Sequence, residues 1–447
     1  MSLLLGIFLL LCLPYSLLPE KAAAFPWFFA LYTAQFILYA IILLRLKQNE
    51  PSLLLILLVA ILARILMLSS DPVLENDYYR YLWDGRVMAS GVNPYSYKPL
   101  DTALDHLEVP YRHKIGWKQY GTIYPPVSIG VFALSHIIAS DSFAFLKIVL
   151  SIFEFATGIL LVFWLQKLKV NPKWSMVYFL NPLVLKEVSN SAHLDSIVVF
   201  FSVLAVYQFW QYTKAKQQHK GITSWFFLAL ATGAKLYPLC FVPYFFKLDT
   251  RRLRGIAIFG ATLALLYLPF ISANSHLFNG TEAFAKHWIF NASFYRIFDF
   301  TIPKLLEVSS LSDYAVEYLL SHNRLAKLLV GVIFLSFVIA RSARIKSVDD
   351  LPRELLHALG LLLILSPVVN AWYLLWLIPF AVMEKSKPWL LFSYLVVASY
   401  SWWYSQHLAL YLRWAEYLIF FSYLGYSMIE NYRRNSQAFT SAQPNPD

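Results

Sequence analysis

Apolar runs about as long as a bilayer is thick recur along this sequence, and they constrain its fold more than any other feature. A helix needs about 20 apolar residues to cross the hydrocarbon core of a membrane. Of the 447 residues, 59% are hydrophobic and 14% charged, whereas soluble domains carry about 25% charged residues. This excludes a water-soluble globule and predicts an all-α, polytopic transmembrane bundle of about 11 to 14 segments. The runs lie near 3–19, 26–44, 53–69, 143–166, 174–190, 196–212, 224–246, 255–273, 324–340, 355–369, 372–383, 388–404 and 411–430.

The first run, 3–19, is followed by the small residues Ala22, Ala23 and Ala24. Because no Lys or Arg precedes it, the basic start of a secretory signal is missing. We interpret 3–19 as a first transmembrane helix, with a cleaved signal as the alternative. Cys12 and Cys240 lie inside apolar runs, so neither a disulfide framework nor a cysteine metal site is indicated.

The formal net charge of +11 could suggest nucleic-acid binding, but Lys and Arg cluster in short loops between the apolar runs. Such clusters mark the cytoplasmic side of a membrane protein. The long polar stretches 70–123 and 274–322 should therefore lie outside, within one integral-membrane domain at 1–430. Residues 431–447 are expected to be a disordered cytoplasmic tail. The basic loops contain Arg45 and Lys47; Lys167, Lys169 and Lys173; Lys214, Lys216 and Lys220; Lys247, Arg251, Arg252 and Arg254; Arg341, Arg344 and Lys346; Lys385 and Lys387.

Two apolar stretches do not fit a simple count of crossings. Between the predicted outer loop 70–123 and the basic loop at Lys167 the chain must cross the membrane an odd number of times. Because the run 143–166 already supplies one crossing, we expect residues 124–139 to lie along or re-enter the membrane. The run 224–246 has basic loops at both ends and is interrupted by Lys235 and Pro238. Two half-helices that meet at the outer face would leave both basic ends of the run on the cytoplasmic side. The sequence shows no convincing internal duplication, which weakens a transporter interpretation.

The first outer loop begins with a polar helical pattern. Asp77, Arg80, Tyr81 and Asp84 follow the i, i+3, i+4, i+7 spacing that places side chains on one helix face. This face carries two carboxylates, a guanidinium and a phenol. The alternative is an amphipathic helix at the membrane interface that ion pairs hold together.

Other polar interruptions should reach the same outer side, and ionisable groups at membrane depth tend to mark function. They are His193-Leu194-Asp195, Lys235-Leu236-Tyr237 and Asn370 to Tyr373. Asp195 could instead cap the next helix, and Lys235 could extend to the interface. In the second outer loop, His287 and Arg296 could bind a sugar and a phosphate, since a guanidinium matches phosphate oxygens. Ordinary packing of a surface loop is equally compatible with each of these two residues.

These motifs together resemble those of GT-C glycosyltransferases, most closely the mannosyltransferase-like branch that uses polyprenyl-phosphate sugars. The resemblance spans most of residues 50–385. The motifs are Asn76 to Tyr81, Trp83-Asp84-Gly85, Gly91 to Tyr95, Tyr124-Pro125-Pro126, His193-Leu194-Asp195, Lys235 to Pro238 and Asn370 to Tyr373.

The resemblance implies an inverting transferase with a lipid-phosphate sugar donor. Asp77 matches the general base, Glu75 is its nearest competitor, and Asp195 matches a second acidic residue of the site. The first loop reads Glu75-Asn76-Asp77 where a metal-binding loop would have Asp-x-Asp, so no cofactor is certain. A possible Mg²⁺ or Mn²⁺ would bind Asp77 and Asp195. The expected substrate-binding residues are Arg80, Tyr81, Asp84, Tyr124, His193, Lys235, Tyr237, His287, Arg296, Asn370 and Tyr373.

The chemistry agrees with this assignment. A sugar hydroxyl needs a base to take its proton as it attacks, and a phosphate leaving group needs a nearby cation; Lys235, Arg80 and Arg296 are the candidates. The predicted function is transfer of a sugar, expected to be mannose, to a glycan or glycolipid acceptor on the extracytoplasmic face. The membrane would be the bacterial plasma membrane, or the ER membrane in a eukaryote. The alternatives are a transporter or flippase of lipid-linked sugars and a non-catalytic subunit.

Overall fold

The computed structural model describes the chain except Glu20, Lys47, Asn49, Lys216, residues 308–322 and residues 442–447. The basic-loop residues Lys47 and Lys216, the last part of the second outer loop and the end of the tail therefore lie outside the described residues. The α-helices are α1 (Ser2–Leu10), α2 (Phe25–Arg45), α3 (Leu53–Leu68), α4 (Tyr78–Ala89), α5 (Pro126–Ile138), α6 (Phe143–Lys167), α7 (Met176–Phe179), α8 (Pro182–Val184), α9 (Asp195–Ala215), α10 (Gln218–Ala234), α11 (Val242–Leu248), α12 (Arg252–Tyr267), α13 (Asn279–His287), α14 (Phe294–Glu307), α15 (Arg324–Arg344), α16 (Leu351–Leu365), α17 (Ile378–Met383), α18 (Lys387–Leu395) and α19 (Gln406–Ser441).

Shorter helical turns join these helices. A π-helical segment, Leu185–Asn190, follows α8. Apart from an isolated bridge between Phe290 and Val368, the described residues form no β-structure, so the predicted all-α class is confirmed. The 3₁₀ turns are Leu13–Leu17, Lys21–Ala24, Thr102–Leu107, Arg112–Lys114, Pro172–Ser175, Tyr237–Phe241, Leu268–Phe278, Val348–Asp350, Ala371–Trp376 and Val396–Trp403.

Five helices in the described part of the chain are long and apolar enough to cross a membrane. Three shorter apolar helices accompany them, Ser2–Leu17, Leu53–Leu68 and Pro126–Ile138. The five long helices are Phe25–Arg45, Phe143–Lys167, Asp195–Lys214, Arg252–Ala273 and Arg324–Arg344.

Several predicted spans are broken into shorter helices. In the first run, α1 ends at Leu10 and a 3₁₀ turn follows at Leu13–Leu17, which contains Pro14. The run 372–383 divides into a 3₁₀ turn and α17, with Pro379 in the first turn of that helix. Proline has no backbone N–H to donate, so it starts helices more readily than it continues them.

Helix α5 covers most of the stretch that was predicted not to cross. Its 13 residues extend about 20 Å, less than the hydrocarbon core of about 30 Å. It packs so closely on α4 that only glycine fits at residue 85. A Cβ on Gly85 would lie 2.6 Å from the carbonyl oxygen of Phe132 in α5.

The predicted interruption at Lys235 is present. Helix α10 ends at Ala234, Lys235 has an extended backbone (φ −160°, ψ 148°), and the chain continues through a 3₁₀ turn into α11. The lysine side chain therefore leaves the chain between two half-helices.

The segment that leads from α3 to α4 is tied down by two buried side chains. Lys147 Nζ donates to the carbonyl oxygens of Met67, Leu68 and Ser70, at 2.6 to 3.2 Å. Asn190 accepts from the Val73 amide at 3.0 Å and donates to Ser70 and Asp71. These bonds join the end of α3 to α6 and to the π-helical segment, and so fix the chain just before Asp77.

The predicted tail, 431–447, is described only as far as Ser441. Residues 431–441, expected to be disordered, continue α19 to Ser441. Polar residues can extend a helix that is already formed, because propagation adds a hydrogen bond for each further residue.

Candidate active site

Asp77 lies at the start of α4, as the helical pattern predicted. Its carbonyl oxygen accepts from the amides of Arg80 and Tyr81, and its side chain is half-buried. Arg80 Nε donates to Asp84 Oδ1 at 2.9 Å, so two residues of the predicted helix face form an ion pair with each other. The Tyr81 ring stacks on Phe132 at 4.8 Å and meets Tyr124 edge-on at 5.1 Å.

Asp195 is the first residue of α9 and is fully buried. Its Oδ1 atom is 2.7 Å from Lys235 Nζ and accepts a hydrogen bond from the indole N–H of Trp376. The carboxylate thus binds two side chains from other parts of the chain, which a simple helix cap would not do.

Aromatic rings surround the Lys235 ammonium. Its Nζ lies 4.4 Å from the centre of the Tyr373 ring and 4.9 Å from that of Trp376. Tyr237 and Tyr373 stack on the Trp376 indole at 4.3 and 4.4 Å. Cation–π attraction and the ion pair therefore hold Lys235 in place, instead of letting it extend freely to the interface.

Asp77 belongs to the same electrostatic cluster. Burial raises the pKa of its carboxyl above the ordinary value for Asp, and Asp195 raises that pKa further. Interactions with His193, Lys235 and Arg80 oppose this rise. Asp77 is therefore a carboxyl with a raised pKa that interacts electrostatically with the fixed ammonium of Lys235.

Glu75, the competing base, interacts with Asp77 but also with a second group of buried charges. Burial raises its pKa well above the ordinary value for Glu, Lys186 opposes this rise, and Asp77 and Glu187 add to it. Tyr400 also interacts with Glu75 and donates to both Glu187 carboxylate oxygens at 3.0 Å. Glu75 is therefore associated with a buried internal network, whereas Asp77 is associated with Lys235 and Asp195.

His193 joins the two clusters. Its Nε2 lies 3.3 Å from Glu187 Oε2, and its ring stacks on Trp372 at 3.9 Å. The π-helical segment and the positive φ of Ala192 (60°) turn the chain so that the His193 amide donates to the Glu187 carbonyl. Irregular backbone of this kind is concentrated at functional sites.

The two polar stretches that were predicted to lie outside, 70–123 and 274–322, contact one another beside α4. Arg80 Nη1 donates to the Tyr120 carbonyl at 3.1 Å, and the Tyr120 ring lies 6.1 Å from His287. A Cβ on Gly280 would lie 2.2 Å from the Thr122 carbonyl oxygen, so α13 approaches the first loop closely. His287 is thus near the cluster, at the junction of the loops.

Arg296 is not brought to this cluster. It pairs with Asp299 one turn along α14 at 2.8 Å, with its side chain half exposed. The ion pairs, hydrogen bonds and ring contacts of the described residues do not join it to Asp77 or Lys235. Asn370 comes just before the Ala371–Trp376 turn and hydrogen-bonds Tyr373, so it supports the aromatic rings around Lys235.

The candidate metal ligands are few. Within the described ranges, no three His, Cys, Asp or Glu side chains are grouped closely enough to hold one. In addition, the ammonium of Lys235 occupies Oδ1 of Asp195. The possible binding of Mg²⁺ or Mn²⁺ by the two carboxylates Asp77 and Asp195 stays a prediction.

A family model described as alpha-(1->6)-mannopyranosyltransferase, N-terminal domain, matches residues 19–250. The chain belongs to this mannosyltransferase family. The match covers more than half of the chain and includes Asp77, Asp195 and Lys235. The family is of the GT-C type, so the resemblance is confirmed, as is a mannose-transferring, multi-pass membrane protein. No curated protein and no solved structure matches the chain.

Sequence reasoning missed four members of these clusters. Lys186, Glu187, Trp376 and Tyr400 are all within apolar runs and are buried. A pair of adjacent charges in the run 174–190 was a usable signal, because charges at membrane depth are rare. Trp376 and Tyr400 carried no such signal, since aromatic residues are common in membrane helices.

Proposed function

We propose that this mannosyltransferase takes mannose from a polyprenyl-phosphate donor and transfers it, with inversion, to a glycan or glycolipid on the extracytoplasmic face of the plasma membrane. The observation that carries the proposal is the Lys235–Asp195 ion pair among its aromatic rings, together with the electrostatic interaction of the half-buried Asp77 carboxyl with both groups. A base and a fixed cation beside one another suit the attack of a hydroxyl and the departure of a phosphate.

In the proposed step, Asp77 takes the proton of the acceptor hydroxyl as its oxygen forms a bond to the anomeric carbon. The bond from that carbon to the phosphate oxygen breaks, and the phosphate leaves with the electron pair. Lys235 stabilises the charge that develops on the phosphate. Arg80 is the second cation near Asp77.

The family description suggests an α-(1→6) product. Inversion and an α-linked product together require a β-linked mannosyl phosphate, so the donor anomer is a direct test.

The test uses the purified chain in lipid nanodiscs with labelled mannose on β- or α-linked polyprenyl phosphate, and with GDP-mannose. We expect transfer from the β-linked lipid donor alone, with an α-linked product by NMR. Use of GDP-mannose would refute the lipid donor, and a β-linked product from the same donor would refute inversion. Movement of the lipid-linked sugar across vesicles without transfer would support a flippase instead.

The same assay tests cofactor dependence. Because Lys235 already supplies positive charge at Asp195, we expect turnover to survive EDTA. Loss of turnover that Mg²⁺ or Mn²⁺ restores would instead assign a metal to the site.

A further inference from the structure

Both hydrogen-bond donors that reach Asp195 bind the same carboxylate oxygen. Lys235 Nζ lies 2.7 Å from Oδ1, and the Trp376 indole N–H also donates to Oδ1. The other oxygen, Oδ2, is buried and has no hydrogen-bond partner among the residues that the structure describes. Buried polar atoms are nearly always paired, so an unpaired carboxylate oxygen at a candidate active site points to a missing partner.

The indole that binds Oδ1 is held tightly. Tyr237 stacks on it at 4.3 Å with the rings inclined by 13°, and Tyr373 stacks at 4.4 Å with an inclination of 23°. Trp376 and Tyr373 share one 3₁₀ turn, whereas Tyr237 lies just after the break in α10. The direction of the indole N–H is therefore set by two segments that are distant in sequence.

We propose that Trp376 is a positioning residue, which together with Lys235 holds Asp195 by Oδ1 and leaves Oδ2 to accept a hydrogen bond from a sugar hydroxyl of the substrate. This inference rests on the proposed mannosyl transfer. A carboxylate is an acceptor alone when ionised, and a hydroxyl is the donor that a sugar offers. The hydroxyl can belong to the mannose of the donor or to the acceptor.

The chain offers a closely matched control. Trp225 is also fully buried and donates its indole N–H to an aspartate, Asp249 Oδ2, at 2.8 Å. It lies in α10 about 15 Å of helix before Lys235. Trp376→Phe and Trp225→Phe each remove the same kind of hydrogen bond, but only the first bond belongs to the site.

The assay measures kcat and the separate KM values for donor and acceptor in nanodiscs. Trp376→Phe is expected to lower kcat/KM about ten- to a hundredfold, as for the loss of one hydrogen bond to a charged group. The KM that rises identifies the substrate whose hydroxyl binds Oδ2, and the other KM should change less than about twofold. Trp225→Phe should leave kcat/KM within about twofold of the wild type.

A double variant separates positioning from general stability. If Trp376 acts through Asp195, then Asp195→Ala/Trp376→Phe is no less active than Asp195→Ala alone. A double variant whose activity falls by the product of the two single losses would overturn the inference. So would equal losses of activity in the two Trp→Phe variants, or a Trp376→Phe enzyme with unchanged activity.

An activity-independent measurement distinguishes this inference from the proposed function. In ¹⁵N-Trp-labelled protein, Asp195→Ala should shift the indole N–H resonance that disappears in Trp376→Phe. An unchanged resonance would overturn the positioning role even in an active enzyme. A wild-type enzyme that uses no polyprenyl-phosphate mannose, yet shows the shift, would refute the donor assignment and leave the Trp376–Asp195 contact intact.

Discussion

Replacing Lys235 by methionine tests the ion pair at the centre of the site. The substitution keeps the unbranched apolar stem among the aromatic rings but removes the ammonium 2.7 Å from Asp195. The Asp195 carboxylate, whose side chain is only 1% exposed, would then be a buried charge without a cationic partner. Loss of one partner from a buried pair costs about 3–5 kcal/mol of unfolding free energy. Since the Lys235 side chain is 25% exposed, we expect the lower end, about 3 kcal/mol.

The matched control is Lys214→Met. Lys214 also pairs with an aspartate, Asp349, but the two side chains are 44% and 47% exposed, so the loss should be within about 1 kcal/mol. The free energy of unfolding of the two variants is measured in mixed micelles, with Trp fluorescence as the signal. Adding Asp195→Asn to Lys235→Met removes the unpaired charge and should restore most of the stability.

The donor KM separates stability from substrate binding. We expect Lys235→Met to raise it at least about tenfold, because the phosphate loses a cation worth about 1.5–3 kcal/mol in a charged hydrogen bond. The double variant should keep the raised KM although it regains stability. Lys235→Met with the stability of Lys214→Met and an unchanged donor KM would refute the reasoning on both counts.

Three further predictions follow from the same site. Asp77→Asn should lower turnover about 100- to 10,000-fold without loss of donor binding, and Glu75→Gln should lower it less; the reverse order, measured by initial rates, would assign the base to Glu75. Because burial raises the pKa of Asp77, and the base must be deprotonated, turnover should fall on acidification at a pH above the ordinary Asp value of about 4. Lys235→Met should move this fall to still higher pH, since Lys235 lowers that pKa; a pH–rate profile that shifts downward contradicts the cluster. For topology, a cysteine at the exposed Trp117 should react with an impermeant maleimide from outside, whereas one at Lys169 should not; the opposite labelling would reverse the orientation.

Much of the candidate site could be read from the sequence, because Asp195 and Lys235 interrupt apolar runs and Asp77 belongs to a helical pattern of polar residues. In the structure Lys235 pairs with Asp195, and both interact electrostatically with Asp77. The same reasoning selected Arg296, whose ion pair with Asp299 is local to α14. A single polar residue in a loop carries no information about which other loop it will contact.

The sequence by itself determined the all-α class and the interruption at Lys235. These features depend on the length of apolar runs and on proline, and both are local properties of the chain. Only the tertiary structure decided that Trp376 binds Asp195, that Glu75 interacts with Lys186, and that Asp77 interacts with Lys235. Contacts of this kind join segments far apart in sequence, so they depend on how the helices pack and not on the composition of any one of them.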